Sequence, residues 1–423
     1  MPSDRSHILE ARLPERSTVF TDPDFTAAKA KELEALANHY AAALPLRPRP
    51  LPPRPADAAG EVALVTGTTG NFGSSLLEAL LAKDDVVRVY ALNRAGTNAP
   101  ERQRAAFQER DLDEGLLDDA ARLRFLDVDF AAPRFGLDQA VLDEVSFGAP
   151  LASFRVFLDA LRTLVDIALA CPFAESPKVQ FVSSIGVVIN HPGPPPVGET
   201  PLDATSALGS GYSESKWVAE RMLLSVAVQT ALPVQVVRVG QLCGDRDGRW
   251  SENEWFALVA RAARFTGCLP DLDGDAAFLY NHVAAAALLE IRTAPAQVLH
   301  LVHPKPISLR ALLAVAAREL DVPRVPFFEW FSRLSTVGAA ATTEGGARGA
   351  LSVVRSNPAL GLLGFFGAPG SVGRDGAMAS YVPLSTEEAV SASATLRALT
   401  PLDASVAVQW VAGWRASGFL QEG

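Results

Sequence analysis

Residues 61–83 read EVALVTGTTGNFGSSLLEALLAK. A short apolar run closes on a glycine, two more glycines follow at intervals of three, and an amphipathic stretch begins directly after them. An unbroken apolar strand is what a parallel sheet covered on both faces requires. The glycines have separate tasks in such a unit. Gly67 permits the tight turn, Gly70 lets the backbone approach a ligand, and Gly73 lets the helix pack close to the strand. A helix starting there offers free N–H groups and the positive end of its dipole, which suits a diphosphate. Thr69, Asn71 and Phe72 complete the loop and join the candidate cofactor contacts. The GxxGxxG spacing by itself arises by chance roughly 0.2 times in a chain with this many glycines. The flanking strand and helix therefore carry the assignment.

The same rhythm continues. Strands are predicted at 86–94 (VVRVYALNR), 123–130 (LRFLDVDF), 178–184 (KVQFVSS) and 233–240 (PVQVVRVG), with helices at 151–170 and 213–229 between them. Alternation of this kind gives parallel βαβ units and an α/β fold, a Rossmann-like doubly wound sheet. Three regions are expected. Residues 1–59 hold a helix at 24–44, with Asp24 as its N-cap, and a Pro-rich extended linker at 44–60. Residues 60–245 form the nucleotide-binding domain. Residues 246–423 form a smaller, mostly helical substrate region in which 336–350 (TVGAAATTEGGARGA) and 367–376 read as loops.

Charge and cysteine usage exclude several functions. A net charge of −10 over 423 residues gives no basic face for nucleic acid. The three cysteines, Cys171, Cys243 and Cys268, form no CxxC pair, and the six histidines show no metal-ligand spacing, so no metal site is expected. There is no GxSxG nucleophile elbow. The N-terminal MPSDRSHILEARLPERS has no signal-peptide core and no segment reaches the ~20 apolar residues of a membrane span. A soluble, cytoplasmic protein without a membrane partner is expected.

The second predicted strand ends in Asn93-Arg94. An acidic residue there would bind a ribose 2′-hydroxyl, whereas Arg94 accommodates a 2′-phosphate, which selects NADPH over NADH. Arg104, with Arg102, can assist from the next helix, with ordinary solvated surface an equal alternative. Asp129, after the third strand, can accept from the adenine amino group or cap a turn. Tyr212-Ser213-Glu214-Ser215-Lys216 is a YxxxK on a predicted helix, where i and i+4 share a face. With five tyrosines and six lysines in the chain, the pattern arises by chance roughly 0.07 times. Lys216 can favour the phenolate electrostatically and hold the nicotinamide ribose, and Tyr212 can donate a proton to a reduced carbonyl oxygen. The third member should be a hydroxyl at the end of the preceding strand, Ser183 or Ser184. Ser184 is preferred, because Ser183 follows directly on buried Val182 and one of the two must point into the sheet layer.

These motifs, with VRVGQLCGDRDGRW, ENEWFALV, VLHLVHPKPISL, NPALGLLGFF and VAGWRASGFL, resemble the NAD-binding thioester reductase family over residues 60–422. The resemblance is greatest to the reductase domains of fungal adenylate-forming reductases, aminoadipate reductase and carboxylic acid reductases. It implies NADPH-dependent reduction of an acyl thioester, held on a phosphopantetheine carrier protein or CoA, to an aldehyde or alcohol. It also implies Ser184, Tyr212 and Lys216 as the catalytic set and places Gly240 and Gln241 near the nicotinamide. Two other readings stand beside it: an extended short-chain reductase of a free carbonyl compound, and a catalytically impaired cofactor-binding homologue. One departure bears on these. The family's central fourth strand is reduced here to VLDEVSFGAP, so residues 144–149 are predicted to form a truncated strand between those carrying Val65 and Phe181, leaving an open crevice and weak NADPH binding.

Overall fold

A computed structural model describes residues 22–47, 51–53, 60–128, 151–245, 247–343, 358–367, 372, 376–378 and 382–421. Six parallel strands lie in two three-stranded sheets. In the first, β2 (Val86–Arg94) pairs with β1 (Glu61–Thr66) on one side and β3 (Leu123–Val128) on the other, with Val65 opposite Ala91 and Arg94 opposite Val128. In the second, β5 (Val234–Val239) lies between β4 (Val179–Ser184) and β6 (Val298–Leu301). The orders 3-2-1 and 4-5-6 are those of the two halves of a doubly wound sheet. In doubly wound sheets ligands bind at the carboxyl ends of the strands where the order reverses, which here are the ends of β1 and β4.

The helices that matter to the site are α1 (Pro23–Tyr40), α2 (Asn71–Leu81), α3 (Ala99–Glu109), α4 (Arg155–Leu169), α5 (Gly211–Thr230), α6 (Trp255–Thr266) and α7 (Asn281–Ile291). The last of these ties the two sheets together. Its Leu289 joins Leu77, Leu80 and Leu81 in the core of the first sheet, while Ala284, Ala287, Leu288 and Ile291 pack on Val237 and Leu299 of the second. Each fully buried leucine contributes about 1.5–3 kcal/mol. Gln235 in β5 donates to the Ile291 carbonyl at 3.0 Å, and Arg292 reaches Glu61 of β1 at 2.6 Å. The C-terminal region has its own core, where Trp250 stacks on Phe256 and Trp255, Phe278, Trp410 and Trp414 pack around them edge-to-face and tilted.

Several expectations change. The N-terminal helix is docked: Leu33, Ala37 and Tyr40, one helical face, are buried in the same core as Leu158, Trp217 and Met222. The Tyr40 hydroxyl donates to Asp159 at 2.7 Å. Its N-cap is Asp22 rather than Asp24, because Pro23 takes the first helical position and Asp22 Oδ1 accepts from the Asp24 and Phe25 amides. The described part of the linker is anchored, with Ala174 donating to the Pro52 carbonyl at 2.8 Å. A boundary at 245 cuts through the sheet, since β6 comes from beyond it. The stretch from 336 begins not as a loop but as the end of a helix, Phe327–Thr343. Alanine is the strongest helix former. Gly338 is where that helix approaches Leu363 and Leu360 too closely for a side chain, whose Cβ would lie 2.9 Å from Leu363 Cδ1. Asp129 and the truncated strand at 144–149 lie outside the described residues.

Candidate active site

The glycine loop is built as a cradle. Gly67 has φ +74°, in the left-handed region, and a Cβ on Gly73 would lie 1.9 Å from the Gly67 carbonyl oxygen. Gly70 caps α2 without a side-chain hydrogen bond, so the first turn presents its backbone N–H groups uncovered by any capping side chain. The loop is held from beneath. Ser74 Oγ donates to the Thr68 carbonyl (3.1 Å) and the Gly70 carbonyl (2.9 Å), and the buried Gln103 of α3 donates to Thr68 O at 2.9 Å. Phe72 is half-buried against the core that holds Val237 and Leu299 of the second sheet. Thr69 is half-buried at the turn.

Arg94 ends β2, and its carbonyl accepts from the Thr97 hydroxyl at 2.6 Å. Arg104 is committed elsewhere: its guanidinium bonds Asp118 (2.6 Å) and Glu114 (3.4 Å). Solvated surface, the equal alternative for this residue, fits that pairing better than a cofactor contact.

At the end of β4 the two serines part. Ser183 is buried and donates to Glu220 Oε1 at 2.6 Å, whereas the half-buried Ser184 Oγ accepts from the Gly186 amide at 3.1 Å. Helix α5 follows, N-capped by Ser210. Its Tyr212 is exposed and meets Phe154 edge-on at 6.1 Å. Lys216 Nζ donates to the Val182 carbonyl at 2.9 Å and lies 5.7 Å from the centre of the Tyr212 ring. The ammonium is thus tied to the strand that carries Ser184. A Cβ on Gly186 would lie 2.9 Å from Ser213 Oγ, so glycine is needed where the turn after β4 meets α5.

At the end of β5, Gly240 sits against Val302, leaving no room for a Cβ, which would lie 2.6 Å from Val302 Cγ1. Gln241 Nε2 donates to Leu242 O (2.9 Å) and Glu254 Oε2 (3.0 Å). Burial pushes the Glu254 carboxyl above its ordinary pKa, and the Gln241 hydrogen bond opposes that.

Behind the serines lies a network that pattern reading missed. Arg238 Nη2 and Glu220 Oε2 pair at 2.8 Å, both buried, and Arg238 Nη1 contacts His300 Nε2 at 3.2 Å. Since arginine only donates, His300 Nε2 accepts and its Nδ1 carries the proton toward Ser385 O at 2.8 Å. Burial and then Arg238 lower the His300 pKa to about 4. A signal was present in the sequence: an arginine inside the apolar strand VQVVRV needs a buried partner, and Glu220 stands one turn beyond Lys216 on α5. A second buried group, Asp245 with Asn281, touches the glycine loop through Asn71.

Among the described residues no three His, Cys, Asp or Glu side chains gather to hold a metal, and no helix is long and apolar enough to cross a membrane.

A parallel strand, a glycine cradle and a helix start at 61–81, in sheets of the 3-2-1 and 4-5-6 orders, mark a Rossmann-like NAD(P)-binding domain. The chain belongs to the male sterility protein family of NAD-binding domains, whose model matches residues 65–287. It is similar to an adenylate-forming reductase of Heterobasidion annosum, 31% identical over 416 residues covering 93% of this chain and 37% of the relative. A non-reducing polyketide synthase of Hypocrea jecorina is 30% identical over 86% of this chain and 15% of its own length. The chain thus spans well under half of these relatives. In fold it matches the terminal R domain of the myxalamid PKS-NRPS pathway, with a TM-score of 0.73 at 23% identity over 93% of this chain and 99% of that one. An archaeal thiolation-reductase di-domain matches with a TM-score of 0.63 at 18% identity, over 93% and 81%.

Proposed function

We propose that the chain is an NADPH-dependent oxidoreductase that reduces an acyl thioester, carried on phosphopantetheine of a carrier protein or on CoA, to an aldehyde or alcohol in secondary metabolism. The observation that carries this reading is Lys216 Nζ bound to the Val182 carbonyl, two residues before Ser184, with Tyr212 one turn earlier on the same helix. The residues fit a dinucleotide. Gly67, Gly70 and Gly73 form a cradle that side chains would fill, the uncapped start of α2 suits its diphosphate, and Arg94 suits a 2′-phosphate. NADPH, when bound, supplies a hydride to the carbonyl carbon. Tyr212 gives its hydroxyl proton to the carbonyl oxygen, and Lys216 favours the phenolate that remains. Ser184 hydrogen-bonds the same oxygen as charge develops on it. The C–S bond of the resulting hemithioacetal then breaks, the hydroxyl proton passes to sulfur, and thiol and aldehyde leave. The relatives named as adenylate-forming reductase and polyketide synthase, and the fold neighbour that joins a thiolation domain to a reductase, support a carrier-bound substrate. The test is incubation with NADPH and acyl-phosphopantetheine thioesters. One aldehyde per NADPH consumed is expected for two-electron reduction. Turnover of free aldehydes or ketones with none of the thioester would favour a short-chain carbonyl reductase instead. NADPH binding without turnover of either substrate would favour an impaired homologue.

A further inference from the structure

Asn281, at the start of α7, is completely buried, and its Nδ2 makes two hydrogen bonds, to Asp245 Oδ1 at 2.8 Å and to Asn71 Oδ1 at 3.0 Å. Asp245 is itself buried and held in place by a tight turn. Its amide donates to Arg249 O (3.0 Å), Gly248 donates back to its carbonyl (3.1 Å), and the Asn281 amide donates to Gly244 O (3.0 Å). Gly244, at φ +94°, has no room for a Cβ beside Arg249. The polarity of this chain of groups follows from one fact: a carboxylate only accepts. Asp245 therefore requires the NH₂ end of Asn281 to face it. The second hydrogen of that NH₂ then requires an acceptor at Asn71, so Asn71 turns its oxygen inward and its own NH₂ the other way. Reversing Asn281 would set oxygens against oxygens. The present orientation leaves, within this group of three side chains, only Asn281 Oδ1 buried without a partner, whereas the reverse would place two pairs of oxygens against each other.

Asn71 is the first residue of α2, directly after Gly70, and its Nδ2 donates to no side chain or carbonyl among the described residues. We propose that Asp245 and Asn281 are positioning residues that fix the amide polarity of Asn71, making its Nδ2 a hydrogen-bond donor to the diphosphate of the dinucleotide. This rests on the cofactor reading above. It explains why an acidic side chain stands two residues' reach from an anion site: Asn281 is interposed, and the carboxylate acts only through the direction it imposes.

Equilibrium binding of NADPH, read by cofactor fluorescence without any substrate, tests this in a double-mutant cycle. Asn71→Ala should raise the NADPH Kd about 10- to 100-fold, the loss of one hydrogen bond to a charged acceptor. Asp245→Asn, which can present either end of its amide to Asn281, should raise it by a smaller factor in the native background and by none when Asn71 is already alanine. An unchanged Kd for Asn71→Ala overturns the proposal even if Asp245→Asn does not fold. Equal effects of Asp245→Asn in both backgrounds overturn the relay. Wild-type protein that binds neither NADPH nor NADH overturns the cofactor reading and this inference with it.

Discussion

Ser183 and Glu220 meet at 2.6 Å inside the core, and through that contact the end of β4 is tied to α5, the helix that carries Tyr212 and Lys216. Adjacent serines on a strand point to opposite sides, so fixing Ser183 inward leaves Ser184 facing out. Glu220 can do this because Arg238 neutralises it and occupies its second oxygen.

Removing one member of that ion pair should be costly. Arg238→Leu leaves the Glu220 carboxylate buried and unpaired, and about 3–5 kcal/mol of stability should be lost. Arg238→Leu with Glu220→Leu should recover a large part of it. Urea unfolding of the three proteins measures this, and a single variant as stable as wild type would mean that the pair is not buried in solution.

His300 gives a pH signature. Its pKa is lowered from 6.5 to about 4 by burial and then by Arg238. The unfolded chain therefore takes up a proton near pH 6.5 that the folded protein refuses until about pH 4. The stabilisation is complete above pH 6.5 and is lost as pH falls from there to 4, by up to about 3 kcal/mol. Buried carboxyls such as Glu254, whose pKa is raised, act in the opposite sense, so the quantity to measure is wild type minus His300→Gln. That difference should shrink as pH falls through this window, and a flat difference would mean that His300 is not held neutral beside Arg238 in the folded protein.

Leu33→Ala tests the N-terminal helix. Leu33 is fully buried in the core that also holds Trp217 and Met222 of α5, so about 2–5 kcal/mol should be lost. A change near zero in thermal or urea unfolding would show the helix to be undocked.

Much of this was legible in the sequence where short-range pattern decides. The strand–glycine–helix unit at 61–81, the strands at 86–94 and 179–184, and the helix carrying Tyr212 and Lys216 each rest on periodicity within a dozen residues. What pattern could not reach were contacts between distant polar residues. Asn281 lies 210 positions from Asn71, and Gln103 lies 35 from Thr68. No local feature marks either pair, because only the packing of α7 and α3 against the loop brings them together. The loop assigned from 336 failed for a different reason: glycine there serves close packing rather than a break.

The proposed preference for NADPH rests on Arg94 at the end of β2. Arg94→Ala should weaken NADPH by ~1.5–3 kcal/mol, roughly 10- to 100-fold in KM, while leaving the NADH KM nearly unchanged. Equal effects on both dinucleotides would remove Arg94 from the 2′-phosphate site.

In the proposed reaction Tyr212 delivers the proton during hydride transfer to a thioester carbonyl. Tyr212→Phe keeps the ring beside Phe154 and removes only the donor. Single-turnover reduction of an acyl-phosphopantetheine thioester by NADPH, measured for wild type and Tyr212→Phe together with the NADPH Kd of each, isolates that step. The rate should fall about 10²- to 10⁴-fold with the Kd unchanged. A variant that reduces the thioester at nearly the wild-type rate would contradict it.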